Sequence, residues 1–198
     1  MVSAAPASDR SRTPARPGTG NTVIGHLMAA CCIAFAIVNV VFEMTGHFAD
    51  GPYAEYVSAI AVMNWLVVGL KAMGAAVALM SVAKHPRFLP AAGLGVLLWG
   101  AFAMLGVYAL GSVVQAVGMA AGLTGTADQI DLAGVGYVLF FLVLTAGYGV
   151  LAICYSRRFG LRRGIAVLGV LGAPVMLGVL LLAVPMLLAA LGLMPPQN

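Results

Sequence analysis

Charge is what this sequence has least of. Only 8% of its 198 residues are Asp, Glu, Lys or Arg, where soluble domains carry about a quarter. By contrast 62% are apolar, and the mean hydropathy is +1.04. A water-soluble fold is excluded on that ground. Cysteine is nearly absent too. Cys31, Cys32 and Cys154 form no CxxC, no cluster with zinc spacing and no even disulfide framework, so they read as small packing residues in a reduced compartment. There is no GxSxG, no Walker loop, no dinucleotide fingerprint and no pair of carboxylates within an apolar run. No catalytic residue, metal site or cofactor is therefore assigned.

What is present is a set of five apolar runs, at about 22–43, 57–83, 90–117, 132–155 and 165–192. Each exceeds the roughly 20 residues needed to cross a hydrocarbon core of about 30 Å. The expected fold class is all-α: one polytopic five-helix membrane domain over residues 21–194. Residues 1–20, rich in Ser, Pro, Ala and Arg, have little to bury and read as a disordered tail. The tail and first run resemble a signal peptide. Because "GHFADG" is a poor small-x-small cleavage site, with His47 at its −3 position, we expect an uncleaved signal anchor.

The connections alternate in charge. The tail has Arg10, Arg12 and Arg16; 44–56 has Asp50 and Glu55; "AKHPR" has Lys84 and Arg87; 118–131 has Asp128 and Asp131; "SRRFGLRRG" has four arginines. Positive residues stay on the cytoplasmic side, so the expected topology puts the N-terminus inside and residues 195–198 outside. The net charge of +4 is thus a topology signal rather than a nucleic-acid footprint. The expected partners are the lipid bilayer and a second membrane protein or another copy of this chain, with no nucleic acid.

Lys71 is the clear anomaly. It lies about 12 residues, roughly 18 Å of helix, from the cytoplasmic end of the second run, too deep for easy snorkelling. A lysine at mid-span costs about 2.5–3.5 kcal/mol on insertion scales. Asn64, seven residues earlier, shares its face, and Asn39 on the first run should lie level with Asn64. A contact between the two asparagines would contribute about 0.6–2 kcal/mol. Glu43 lies further out, more than about 10 Å from Lys71 by helix rise. Three options remain for Lys71: a desolvated neutral amine, a wet cavity, or a carboxylate on a partner subunit.

"NVVFEMTGH" puts Asn39, Glu43 and His47 four residues apart. Glu and His at this spacing can share a metal ion. Without HExxH, a second His on that side or a glycine-framed ligand loop, Glu43, His47, Asp50, Glu55, Asp128 and Asp131 read instead as an external acidic and histidine rim. Thr45 and Gly46 are where the helix is expected to stop, before His47 joins the stripe. His26 and His85 fall on the other side and carry no haem signature.

Small residues at Ala30/Ala34, Gly93/Gly100, Gly106, Gly111 and Gly169/Ala173 support close helix packing. Trp99, Tyr108, Tyr137, Tyr148 and Tyr155 could line an apolar pocket, with Tyr137 and Tyr155 also placed for interfacial belts. Pro174 and Pro185 interrupt the fifth run, where neighbouring helices can cover the freed carbonyls. No internal repeat is evident, and five spans do not divide into inverted halves, which disfavours a conventional transporter.

The runs "LKAMGAAVALMSVAKHPRFLPAAGLGVLLWGAFAMLGVY" and "YVLFFLVLTAGYGVLAICYSRR" resemble small polytopic membrane proteins common in actinobacteria, through Lys71, the basic turn with Pro90, Trp99 and Tyr108. The resemblance implies a bacterial plasma membrane and transfers no active site. The functional expectation is a non-catalytic accessory or interaction subunit of a membrane complex. The alternative is a small-solute or lipophile transporter or binder using Lys71, Asn64 and Asn39, and a membrane enzyme comes third.

Overall fold

A chain in hydrocarbon must satisfy its backbone N–H and C=O groups internally, so long apolar runs become helices. The computed structural model describes residues 16–47, 56–83, 89–125 and 131–190. Its helices are α1 (Thr19–Met44), α2 (Val57–Val82), α3 (Ala91–Ala120), α4 (Leu132–Phe159) and α5 (Arg163–Ala190). All five are long and apolar enough to cross a membrane, and no strand occurs among the described residues. Each described helix overlaps one of the five expected runs. The largest extension is at the end of α4, which runs on through Ser156, Arg157 and Arg158. Cations suit the negative end of a helix. The helix α5 continues through positions 174 and 185.

Three helices end the same way. Gly46, Gly122 and Gly160 adopt φ of 65°, 70° and 60°, a left-handed conformation that costs glycine nothing. After α1, His47 N–H donates to Phe42 O at 3.0 Å and Gly46 N–H to Glu43 O at 3.2 Å. Leu123 N–H bonds Gly118 O, and Leu161 N–H bonds Ser156 O. These bonds cap carbonyls that the last turn would otherwise leave open. Asp131 begins α4, its Oδ1 accepting from Gly134 N–H at 2.7 Å.

Helices α1 to α4 close a ring in chain order, with α2 also touching α4 across it. Helix α5 packs on α3 alone among the described residues. Burial is uneven along the axis. The core (Met28, Cys32, Ala78, Leu94, Leu98, Leu144, Tyr148, Leu151, Ala152) lies in the half where α1, α3 and α5 begin, which we call the basic half for its arginines. Among the described residues the other, acidic half buries little beyond Asn64, Lys71, Ala109 and Phe141.

Close approaches build the basic half. A Cβ on Gly25 would meet the Val82 side chain at 2.6 Å and Ala78 O at 3.3 Å, so α1 crosses α2 at Gly25. A Cβ on Gly147 would collide with Met28 of α1, and one on Gly95 with Leu161. Gly169 lies against Trp99 Cβ, Val96 O and Gly100 N, and Gly100 lies against Ala173 Cβ, so the Gly169/Ala173 pair does form the α3–α5 contact. Ala30 and Ala34 do not serve this way: both are exposed, and α1 turns Gly25, Ala29 and Cys32 inward instead. Gly93 faces only its own Pro90, and Gly111 has open space.

These placements give opposite signs for two glycine substitutions. Gly169→Ala should lower the thermal midpoint in detergent, overpacking costing about 1–3 kcal/mol. Gly111→Ala, with nothing to strike, should be neutral or raise stability by up to about 1 kcal/mol through helix propensity.

Candidate functional site

The polar groups inside the spans line up along the face of α2 that looks at α1 and α4. Nearest the acidic end, Asn64 is buried and its Nδ2 donates to Asn39 O at 2.9 Å and to Glu43 Oε2 at 3.2 Å. The two asparagines therefore meet side chain to backbone. The Asn39 amide is engaged within its own helix, donating to Phe35 O at 2.8 Å. Glu43 correspondingly reaches inward to Asn64 as well as belonging to the end of α1.

Two turns further in, Lys71 is 9% exposed. Its Nζ lies 4.7 Å from the ring centroid of Phe35 on α1 and 4.6 Å from that of Phe141 on α4. The two rings stand nearly perpendicular, at 83°, with centroids 5.6 Å apart. The negative faces of aromatic rings attract a cation, by about 2 kcal/mol or more where water is excluded. Among the described residues no ion pair or hydrogen bond to Nζ occurs, so this aromatic notch is the immediate environment of the amine. None of the three options raised by the sequence named aromatic rings.

The notch is buttressed. Phe35 stacks on Phe140 and tilts against Tyr137; Phe141 packs on Tyr108 and Tyr137, with centroids 4.5 and 4.8 Å apart. Tyr108 Oη donates to Tyr137 Oη at 2.9 Å, linking α3 to α4. On the basic side of Lys71, Cys32 Sγ and Tyr148 Oη are hydrogen-bonded at 3.3 Å. Gly74 makes that junction possible, since a Cβ there would stand 3.0 Å from Tyr148 Oη and 3.5 Å from Cys32 Sγ.

The aromatics expected to share one pocket therefore divide. Tyr108 and Tyr137 support the lysine notch, Tyr148 seals the core, and Trp99 Nε1 donates to Ser156 Oγ at 3.0 Å in the basic half. Tyr155 is 3% exposed, so it is an interior residue and not part of an interfacial belt. No sequence spacing marks Phe35 and Phe141 as partners of Lys71, because the three residues come from three helices.

Of the expected rim, His47 follows the last turn of α1 and stacks on Phe42 with ring centroids 4.5 Å apart, while Asp131 caps α4. The left-handed Gly46 takes His47 off the Asn39–Glu43 stripe. Asp50, Glu55 and Asp128 lie outside the described residues, as does His85. No three His, Cys, Asp or Glu side chains converge among the described residues.

Five apolar helices, four of them ringed about a line of interior polar groups, define the class, a multi-pass helical membrane protein. The chain matches no protein-family model, no curated protein and no solved structure.

A double-mutant cycle measures the notch. Phe141→Leu should destabilise the protein by about 1–2 kcal/mol more with Lys71 present than in a Lys71→Met background. Equal effects in the two backgrounds would mean that the amine and the ring are uncoupled. Asn64→Asp, which replaces the amide donor with a carboxylate facing Glu43 Oε2 and Asn39 O, should be more destabilising than Asn64→Leu. Thermal midpoints in detergent at neutral pH would show this.

Proposed function

We propose that this chain is a non-catalytic accessory or interaction subunit of a membrane complex. It would sit in a bacterial plasma membrane with its N-terminus and basic half on the cytoplasmic side. The orientation rests on the alternation of arginine-rich and acidic connections. The bacterial setting rests on the resemblance carried by spans two to four.

The observation that carries the functional reading is the contrast between the two halves. In the basic half the interior is filled by side chains at 0–3% exposure, such as Leu94, Leu98, Leu144 and Ala152. In the acidic half Tyr108 and Tyr137 remain 45% and 41% exposed, and Val107, Leu110 and Val114 of α3 all exceed half exposure. A bundle whose described interior is densely filled at one end and sparsely at the other offers a place for a neighbouring helix. Small and hydroxyl-bearing residues are the usual material of such contacts in membranes. The interior polar groups meanwhile bond one another, backbone carbonyls and aromatic rings, which favours scaffolding over chemistry.

One observation favours the transporter or binder reading instead. An ammonium has three N–H donors, and Lys71 finds no oxygen acceptor for them among the described residues. A solute carboxylate reaching the notch would supply one, with Asn64 and Asn39 on the way.

The readings separate experimentally. A photo-crosslinking residue at Leu110 in native membranes should yield one defined adduct with a second membrane protein or another copy of this chain. The same residue at Val23, exposed in the basic half of α1, should not. Adducts absent at both positions, together with solute flux in proteoliposomes that Lys71→Met abolishes, would replace the subunit reading with transport.

A further inference from the structure

At the basic end, away from the lysine notch, α1, α2 and α4 surround a half-open cavity of about 350 Å³. That volume is in the lower range of small-molecule sites, which run from about 300 to 1,000 Å³. Its described lining holds three arginines, Arg16, Arg157 and Arg158, and no acidic residue.

Two side chains of this lining carry buried donors that have no partner among the described residues. The Tyr155 hydroxyl belongs to a side chain 3% exposed and has no hydrogen-bond partner. Arg158 Nε and Nη1 are buried and equally unpartnered, although the guanidinium lies over the Phe159 ring with Cζ 5.0 Å from its centroid. Phe159 in turn packs on Tyr155, centroids 4.5 Å apart, so stacking holds both donors in place. A buried donor left unbonded costs about 1–3 kcal/mol, and more when charged.

The third element is the start of α1. Gly18 is the N-cap and supplies no side-chain hydrogen bond. The N–H groups of the first turn are therefore not capped by it, and Gly18 and Asn21 both line the cavity. Uncapped N–H groups and the positive end of the helix dipole favour an anion. Charged guanidinium N–H groups bond phosphate oxygens more strongly than neutral donors do.

We propose that this cavity binds a phosphate group. Arg158 supplies charge and N–H donors, the Tyr155 hydroxyl a further hydrogen bond and the first turn of α1 another face, with Arg16 and Arg157 also in the lining. The phosphate comes from a phospholipid headgroup or from a soluble phosphate anion. The site lies where the basic residues meet the end of the bundle and is independent of the function proposed above.

The test uses the full chain, delipidated in a neutral maltoside detergent. It is titrated with dihexanoyl-phosphatidylglycerol and with sodium phosphate, against sodium chloride at matched ionic strength. Binding is followed by the thermal midpoint and by tryptophan fluorescence, since Trp99 is bonded to Ser156 beside Arg157.

Saturable binding of either ligand beyond the chloride control is expected, at least about tenfold weaker in Arg158→Gln and several-fold weaker in Tyr155→Phe. Phosphatidylglycerol binding at least about tenfold tighter than phosphate would identify the source as a lipid headgroup. Equal affinities would identify a soluble phosphate. Should Arg158→Gln fail to fold, Tyr155→Phe decides alone, because it removes one oxygen and leaves the stacking intact. No saturable binding of either ligand, or lipid binding unchanged in the variants that fold, overturns the proposal.

Discussion

A lysine halfway along a membrane-spanning helix must be given an environment, and Lys71 obtains one from two other helices. The ring centroids of Phe35 on α1 and Phe141 on α4 lie 4.7 and 4.6 Å from Nζ. Neither ring can slide by a turn without uncovering the amine. The pairing therefore fixes the register of α1 and α4 against α2 as no apolar contact can, since in lipid one apolar neighbour is nearly as good as another. The Tyr108–Tyr137 hydroxyl pair and the Phe140 stack hold the rings upright, and so extend the same constraint to α3.

Lys71 also marks the boundary between two kinds of packing. Towards the basic end, glycines at 25, 95, 100, 147 and 169 let helices approach until side chain meets backbone, and the core there is closed. Towards the acidic end the contacts become few and directional, with Asn64 joining Asn39 to Glu43 and little apolar surface buried around them. Dense dispersion contacts make the first half rigid. The second half holds together through hydrogen bonds and ring contacts, and leaves surface for another chain. At the extreme basic end the order changes again: helix termini part around a cavity whose lining includes charged and polar donors with no partner among the described residues.

Much of the architecture was legible in the sequence because a bilayer restricts what an apolar run of that length can become. Helix number and ends followed from hydropathy, and Gly46 was recognisable as the stop before His47. The depth argument singled out Lys71, and matched Asn64 with Asn39, from helix rise alone. The lysine's aromatic partners were not legible. Contacts between a cation and rings on separate helices impose no spacing along the chain, and Phe35 and Phe141 look like ordinary lipid-facing or core residues. Ala30/Ala34 shows the converse limit: a small-xxx-small pair identifies a helix face, yet the neighbouring face bearing Gly25 and Ala29 is the one that packs. The Tyr155–Arg158 cavity was hidden because its residues have meaning only together, and three helix ends bring them together.

The central claim is that Lys71 is enclosed by aromatic rings within a folded bundle. The chain has one other lysine, Lys84, so acylation at position 71 can be assigned to a single peptide. The most direct measurement is the rate at which a membrane-permeant amine-acylating reagent modifies Lys71 in the folded protein, compared with the same protein unfolded in detergent. The account predicts strong protection of Lys71 when folded, lost on unfolding and partly lost in Phe141→Leu. Modification of folded Lys71 at the unfolded rate would contradict it.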